Sequence, residues 1–250
     1  MQLVLFAASG IGLSLGIFGS GGSVLTLPLL VYLLNQEAKV AVAGSLFIVA
    51  LISGSTLLFG PARRQIVWRI ALMMAVAGIL GSQAGAWLAG AVRGEIQLLT
   101  FAMLMLLAAG SMWKTLSTTP NKTNMAKVFV AGLGAGALTS FTGAGGGFIL
   151  LPLLSRYASL DFFHARATSL LLIFSNALFG LSANLYNQPK LVNELDWMLL
   201  VTLGVIGVVG SLAGQHWSAN WPQQALRRGF AVLLALIALF IISHNLMEVI

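Results

Sequence analysis

The sequence predicts an all-α polytopic membrane protein made of two homologous, inverted repeats. Three observations carry that reading. The first is composition: 58% of the 250 residues are hydrophobic, 8% are charged, and the mean hydropathy is +0.96. A soluble domain of this size covers a large surface with polar groups and gives about 25% of its residues to charge. Thirteen basic and six acidic side chains cannot do that. The second observation is a division into eight apolar stretches. The third is that the chain matches itself.

The eight stretches are 3–34, 40–60, 67–90, 96–113, 128–154, 165–186, 197–217 and 229–244, enough for up to ten helices if the first of each half is broken. About 20 apolar residues carry a helix across a bilayer. Trp68, Trp87, Trp113, Trp197 and Trp217 lie at stretch ends and Trp221 in a loop, as amphipathic rings at a membrane interface do. Met1-Gln2-Leu3 supplies no basic n-region, and the first stretch is too long for an h-region, so no cleavable signal peptide is expected.

A shift of 124 residues lays Gly19-Ser20-Gly21-Gly22 over Gly143-Ala144-Gly145-Gly146, and Leu27-Pro28-Leu29-Leu30 over Leu151-Pro152-Leu153-Leu154. It also lays Ala41-Val42-Ala43-Gly44-Ser45-Leu46 over Ala165-Arg166-Ala167-Thr168-Ser169-Leu170. Between 10 and 46, 13 of 37 positions are identical, five of them glycine and one proline. Later in each half the shift becomes 129. Trp68 then lies over Trp197, and Gly78, Gly81, Ser82 and Gly85 lie over Gly207, Gly210, Ser211 and Gly214. The expected organisation is an N-terminal repeat (1–114), a polar linker (115–126) containing Pro120, Asn121 and Asn124, and a C-terminal repeat (127–250). Internal repeats of this kind are common in transporters.

The first stretch of each half is irregular. Residues 3–34 would make a straight helix of about 48 Å, interrupted at 19–22 with Pro28 beyond; 128–154 is interrupted at 143–147 with Pro152 beyond. Non-helical backbone at membrane depth survives only when buried in protein or facing water. Each stretch is either a broken crossing or a re-entrant hairpin, and the basic residues decide between them. As single crossings, the two sides collect seven and six Lys and Arg. As hairpins, one side holds Lys39, Arg93 and Lys190 and the other the remaining ten. The hairpin arrangement is therefore preferred, with six crossings, inverted halves and both termini outside the cytoplasm.

A helix beginning just after each glycine run would present free N–H groups and a partial positive charge, a good anion site. The candidate substrate-binding residues are Ser20, Gly21, Gly22, Ser23, Thr142, Gly145, Gly146 and Gly147 at the tips. The aligned Ser45 and Ser169, and Asn176, join them as second contributors; Thr26, Thr139 and Ser140 add nearby hydroxyls. Gly81/Gly85 and Gly210/Gly214, spaced by four within unbroken stretches, suit close helix packing instead.

The duplicated Gly-x-Gly-Gly…Leu-Pro-Leu-Leu signature, the Ala-x-Ala-[Gly/Thr]-Ser-Leu element and the Gly-x-x-Gly-Ser-x-Ala-Gly element resemble the TauE/SafE-type sulfite exporter family of membrane anion transporters. The resemblance covers essentially the whole chain. It implies export of small sulfur-containing anions, such as sulfite, sulfoacetate or related organosulfonates, across the bacterial inner membrane. The anion would sit between the two half-helix N-termini near the midplane. A carrier of another small carboxylate or inorganic anion, and a membrane scaffold subunit without transport, are the alternatives.

Glu37, Glu95, Asp161, Glu194, Asp196 and Glu248 all fall in loops or at the terminus, so no intramembrane carboxylate is placed for a proton relay. Glu37 and Asp161 are expected to cap the stretches that follow them. Arg166 is the basic residue nearest an apolar interior; it could draw anions or simply anchor the helix. Gln83 is expected to pair across helices. With no Cys, no His-Glu-x-x-His and no paired intramembrane Asp, neither an enzyme nor a metal or cofactor site is expected. The net charge of +7 is scattered in short gaps, so nucleic acid is not an expected partner. The expected partners are a small anion and the bilayer, and the small-residue faces suit internal packing or a homodimer.

Overall fold

The structure is a computed structural model that describes residues 2–18, 22–113, 124–143, 146–218 and 221–249. It is all-helical over those residues, and the interruptions fall where the glycine runs lie. The stretch 3–34 becomes α1 (Gln2–Phe18) and α2 (Gly22–Pro28), the latter continuing as a π-helical turn Leu29–Leu33. Then come α3 (Ala38–Phe59), α4 (Trp68–Ala91) and α5 (Gly94–Trp113), with a short 3-10 turn Pro61–Gln65 between α3 and α4. The stretch 128–154 becomes α6 (Met125–Thr142) and α7 (Gly147–Tyr157). The chain ends with α8 (Phe162–Asn187), a single turn α9 (Leu191–Glu194), α10 (Trp197–Trp217) and α11 (Gln223–Val249). By length and apolar composition seven described helices can cross a membrane: α3, α4, α5, α6, α8, α10 and α11.

Several boundaries move outward from the apolar pattern. α8 starts at Phe162, so Arg166 lies in its second turn, and α11 starts at Gln223, so Arg227 and Arg228 lie inside it. Once a helix is nucleated, polar residues at its ends extend it at little cost. Glu37 and Asp161 occupy the N-cap positions of α3 and α8, but neither side chain caps; the Asp161 carboxylate pairs with the His164 ring instead. Their backbone carbonyls do the capping, accepting from Ala41 and Ala165 N–H at 2.9 Å each. Side-chain caps occur at Asn124 and Asp196.

Both broken stretches double back. Phe18, at the end of α1, stacks on Phe230 near the start of α11, 5.3 Å between ring centroids. Tyr32, beyond α2, meets Phe240 and His244 near the other end of α11. Gly10 and Ile11 share a groove with Pro28 and Leu33, so the α2 arm returns beside α1. In the second half, Lys127, Val130 and Ala131 at the start of α6 share a groove with Leu153, Arg156 and Tyr157 at the end of α7. Although α6 is long enough to count as a span, it is the outer arm of a hairpin.

The helices then pair across the chain. α1 packs on α10 and α6 on α4, while α3 and α8 pack on each other at the centre and α5 on α11. The glycine stripes explain the closeness of the first two pairs. A Cβ on Gly12 would strike the backbone of Gly207, and one on Gly214 the backbone of Leu13 and Ile17. On the other side, a Cβ on Gly136 would strike the backbone of Gly78, and one on Gly85 the backbone of Ala137. Adding 124 to the α1 number and subtracting 129 from the α10 number turns Gly12–Gly207 into Gly136–Gly78 and Leu13–Gly214 into Ala137–Gly85. Other features recur at the same offset. Asn35 and Ser159, 124 apart, are the non-glycine residues with positive φ among those described, at 50° and 53°. Each follows a helix closed by the same backbone hydrogen bond, Gln36 N–H to Leu30 and Leu160 N–H to Leu154.

The outer faces are apolar, and all six tryptophans are exposed, as rings at a lipid interface would be. Gln83 departs from expectation: it faces outward on α4 and pairs with nothing described. The inward face of α4 is taken by Gly78, Gly81 and Gly85, leaving Gln83 two residues round on the far side.

Candidate functional site

The second hairpin tip is built from glycines that the turn requires. Gly143 ends α6 at φ 70° and its N–H bonds back to Thr139, a left-handed helix stop. Gly146 (φ 63°) starts α7, and its missing Cβ leaves the room that the Thr139 hydroxyl occupies. No side chain caps α7, so the first-turn N–H groups of Gly147 and Phe148 are aligned at a helix end buried in the bundle. Ser45 of α3 locks the tip by donating to the Gly143 carbonyl.

The expected hydroxyl donors are mostly engaged within their own helices. Thr142 donates to Leu138 and Thr139 to Ala135, each at 2.7 Å, and Ser169 to Arg166 at 2.8 Å. Buried Ser and Thr do this readily because the i−4 or i−3 carbonyl is their nearest acceptor. An anion at this tip would therefore be met first by backbone N–H groups. Ser20, Gly21 and Gly145 lie outside the described residues; Gly22 and Ser23 open α2, and their side chains are likewise not described.

The candidate residues are not gathered at one point. α3 and α8 run antiparallel: Gly54 lies against the Phe174 ring, and Leu57 clusters with Ala167 and Leu171. At 1.5 Å per residue, that register puts Ser45 and Ser169 about 20 Å apart along the pair. Ser45 sits by the second tip, near one end of the bundle. Ser169 sits one turn from Arg166, near the other end. Asn176 lies between them, with its Oδ1 beside Gly78 of α4, buried and without a hydrogen-bond partner. Within the bundle the inner arms of the two hairpins touch, α2 against α7.

Sequence reasoning underweighted one residue. Arg166 is buried, 6% exposed, and its Nη2 donates to the carbonyl of Gly16 in the last turn of α1. Its Nε has no partner, and among the described residues no carboxylate pairs with it. The signal was present in the alignment: Arg166 stands at the position of Val42, an apolar place in the other half. By contrast Glu37, Glu95, Asp161, Glu194 and Asp196 are all exposed.

A bundle of apolar helices, with two hairpins folded into it and one helix start buried inside, is the build of a polytopic membrane carrier. The family model described as sulfite exporter TauE/SafE matches residues 4–241. The chain belongs to the TauE/SafE sulfite exporter family, and it is a membrane transporter rather than an enzyme. It is 29% identical to a protein named "Probable membrane transporter protein" from Xylella fastidiosa strain Temecula1, over 98% of this chain and 96% of that protein. A protein of the same name from Haemophilus influenzae is 26% identical over 95% of this chain and 96% of its own length. No solved structure matches the chain.

Proposed function

We propose that the protein exports small sulfur-containing anions, such as sulfite, sulfoacetate or related organosulfonates, from the bacterial cytoplasm. The observation that carries this reading is the uncapped N-terminus of α7, held inside the bundle at a glycine turn that Ser45 fixes. Buried helix N-termini favour anions, and here no buried carboxylate among the described residues opposes one. In this reading the anion sits between the two glycine-rich half-helix N-termini near the midplane.

The reading includes inverted repeats in the inner membrane, with both termini periplasmic. A monoanion is then driven outward by about 2.3 kcal/mol per 100 mV, so no coupling ion is required. The chain lacks cysteine, which makes the topology easy to test. An impermeant maleimide added to intact cells should label Lys190→Cys, while Arg64→Cys should react only after permeabilisation. The reverse pattern would overturn the orientation.

The functional test is potential-driven efflux from liposomes containing the purified protein, with chloride, acetate and sulfate as competitors. Sulfite or sulfoacetate flux that is lost in folded Gly22→Leu/Gly146→Leu supports the reading. Flux that survives in that variant removes the tips from the site. Flux of acetate alone would replace the sulfur anion by a carboxylate.

A further inference from the structure

We propose that Arg166, Gln215 and Ser218 form a binding site for a small oxyanion at the last turn of α1. All three side chains are buried, at 6%, 4% and 0% exposure. All three carry polar atoms that nothing among the described residues satisfies: Nε of Arg166, both Nε2 and Oε1 of Gln215, and Oγ of Ser218. Buried polar groups are almost always hydrogen-bonded, and a buried charge is almost always paired. Three such residues at one end of the bundle mark a place where a polar ligand belongs.

Two of the three residues meet at Gly16. Arg166 reaches its carbonyl from α8. On the other side, a Cβ on Gly16 would strike the Ser211 carbonyl and the Gln215 N–H of α10. Ser211, Gln215 and Ser218 lie at helical spacing on one face of α10. That face is turned toward α3, where Ser211 accepts from Thr56 and the Gln215 amide lies beside Gly60. Ser218 continues the stripe by one turn.

The other half of the molecule shows that a charge is not needed to hold this corner together. The carbonyl equivalent to that of Gly16 is that of Ser140, and a neutral amide, Asn184 Nδ2, donates to it at 3.1 Å. The positions equivalent to Arg166 and Gln215 are Val42 and Ala86. A guanidinium has five donors in a planar fork and suits an oxyanion. Here it spends one on Gly16 and leaves the Nε edge open. The Gln215 amide and the Ser218 hydroxyl add further donors beside that of the guanidinium. That arrangement fits the three oxygens of sulfite or a sulfonate better than the two of a carboxylate. The exposed Arg63 and Arg64 of the turn after α3 lie toward the same end.

The site's use in transport rests on the export reading; its ability to bind does not. The test is the thermal midpoint of the full-length protein in nanodiscs, read by tryptophan fluorescence. Sodium sulfite and sodium methanesulfonate are compared with acetate and with sodium chloride at equal ionic strength. Sulfite should raise the midpoint of the wild type more than acetate does. Arg166→Gln should lose that increment and Arg166→Lys keep part of it. If Arg166→Gln does not fold, Gln215→Leu and Ser218→Ala should each weaken the apparent sulfite affinity roughly tenfold. No sulfite increment in the wild type, or a full increment in Arg166→Gln, overturns the site. So does unchanged affinity in Gln215→Leu and Ser218→Ala. Efflux separates the two readings. Sulfite protection that depends on Arg166 without any flux overturns export and keeps the site. Flux with an unchanged KM in Arg166→Gln overturns the site's part in transport and leaves export standing.

Discussion

At one end of the bundle the last turn of α1 meets Ser211 and Gln215 of α10, and a guanidinium satisfies its Gly16 carbonyl. At the other end, α6 meets α4 where Ala137 lies against Gly81 and Gly85, and a neutral amide from Asn184 satisfies the Ser140 carbonyl. The backbones follow the same plan at offsets of 124 and 129, yet the side chains differ where they line the interior. Close packing demands the same small residues in both places, because two helix backbones touch. Ligand chemistry makes no such demand. The two ends have diverged where side chains can differ without parting the helices, and a charge was placed at only one of them.

The largest effect should come from breaking the shared part. Gly136→Leu would drive a side chain into the backbone of Gly78, and Gly12→Leu into that of Gly207. Neither backbone can yield, so each substitution should cost about 3 kcal/mol or more, which would show as lost monodisperse protein in size-exclusion chromatography. If only one of the two were disruptive, the helix pairs would not be equivalent supports.

A middle-sized effect should come from exchanging a differing pair. Asn176 and Ile52 occupy corresponding positions, each facing a glycine, Gly78 or Gly207. Replacing Asn176 by Leu removes an acceptor that has no partner, so the thermal midpoint should hold or rise slightly. If Asn176 lies on the anion's route, the KM for sulfite should nevertheless rise severalfold. Ile52→Asn, which buries a new amide, should lower stability by about 1–3 kcal/mol. The smallest effect should be at Gly134, where a Cβ meets nothing within 4 Å. Gly134→Ala should raise the thermal midpoint by a few degrees, by up to about 1 kcal/mol of helix propensity. A loss of stability there would mean that a partner absent from the isolated chain packs on it.

The local features of the fold were legible in the residues. Glycine runs with a proline beyond them gave the reversals, because glycine frees the backbone and proline bars a continuous helix only at certain places. Tryptophans at stretch ends gave exposed rings. What local reading could not supply was partnership. Nothing in residues 3–18 says that α1 will lie on α10, almost 200 residues away, rather than on α4. The same gap explains why two of the aligned candidates lie apart. Ser45 and Ser169 align in sequence, but the antiparallel contact of α3 and α8 sends them to opposite ends. Arg166 could be read as an anchor because it stands at the edge of an apolar stretch, four residues before a run of leucines. That it would be buried against the Gly16 carbonyl of α1 depends on a helix 150 residues away.

The crossing of partners between halves also orders events in time. α6 emerges from the ribosome with its partner α4 already made, whereas α1 must wait for α10. At about 5–20 residues per second, translation leaves α1 without its main neighbour for roughly 10–40 s. During that interval its glycine face lies open in the nascent membrane protein, available to lipids, to insertion chaperones or to the wrong helix. The hairpin that carries the buried arginine's corner is therefore the last to be locked. Slow codons or a lost insertase should damage that end of the finished molecule before the other.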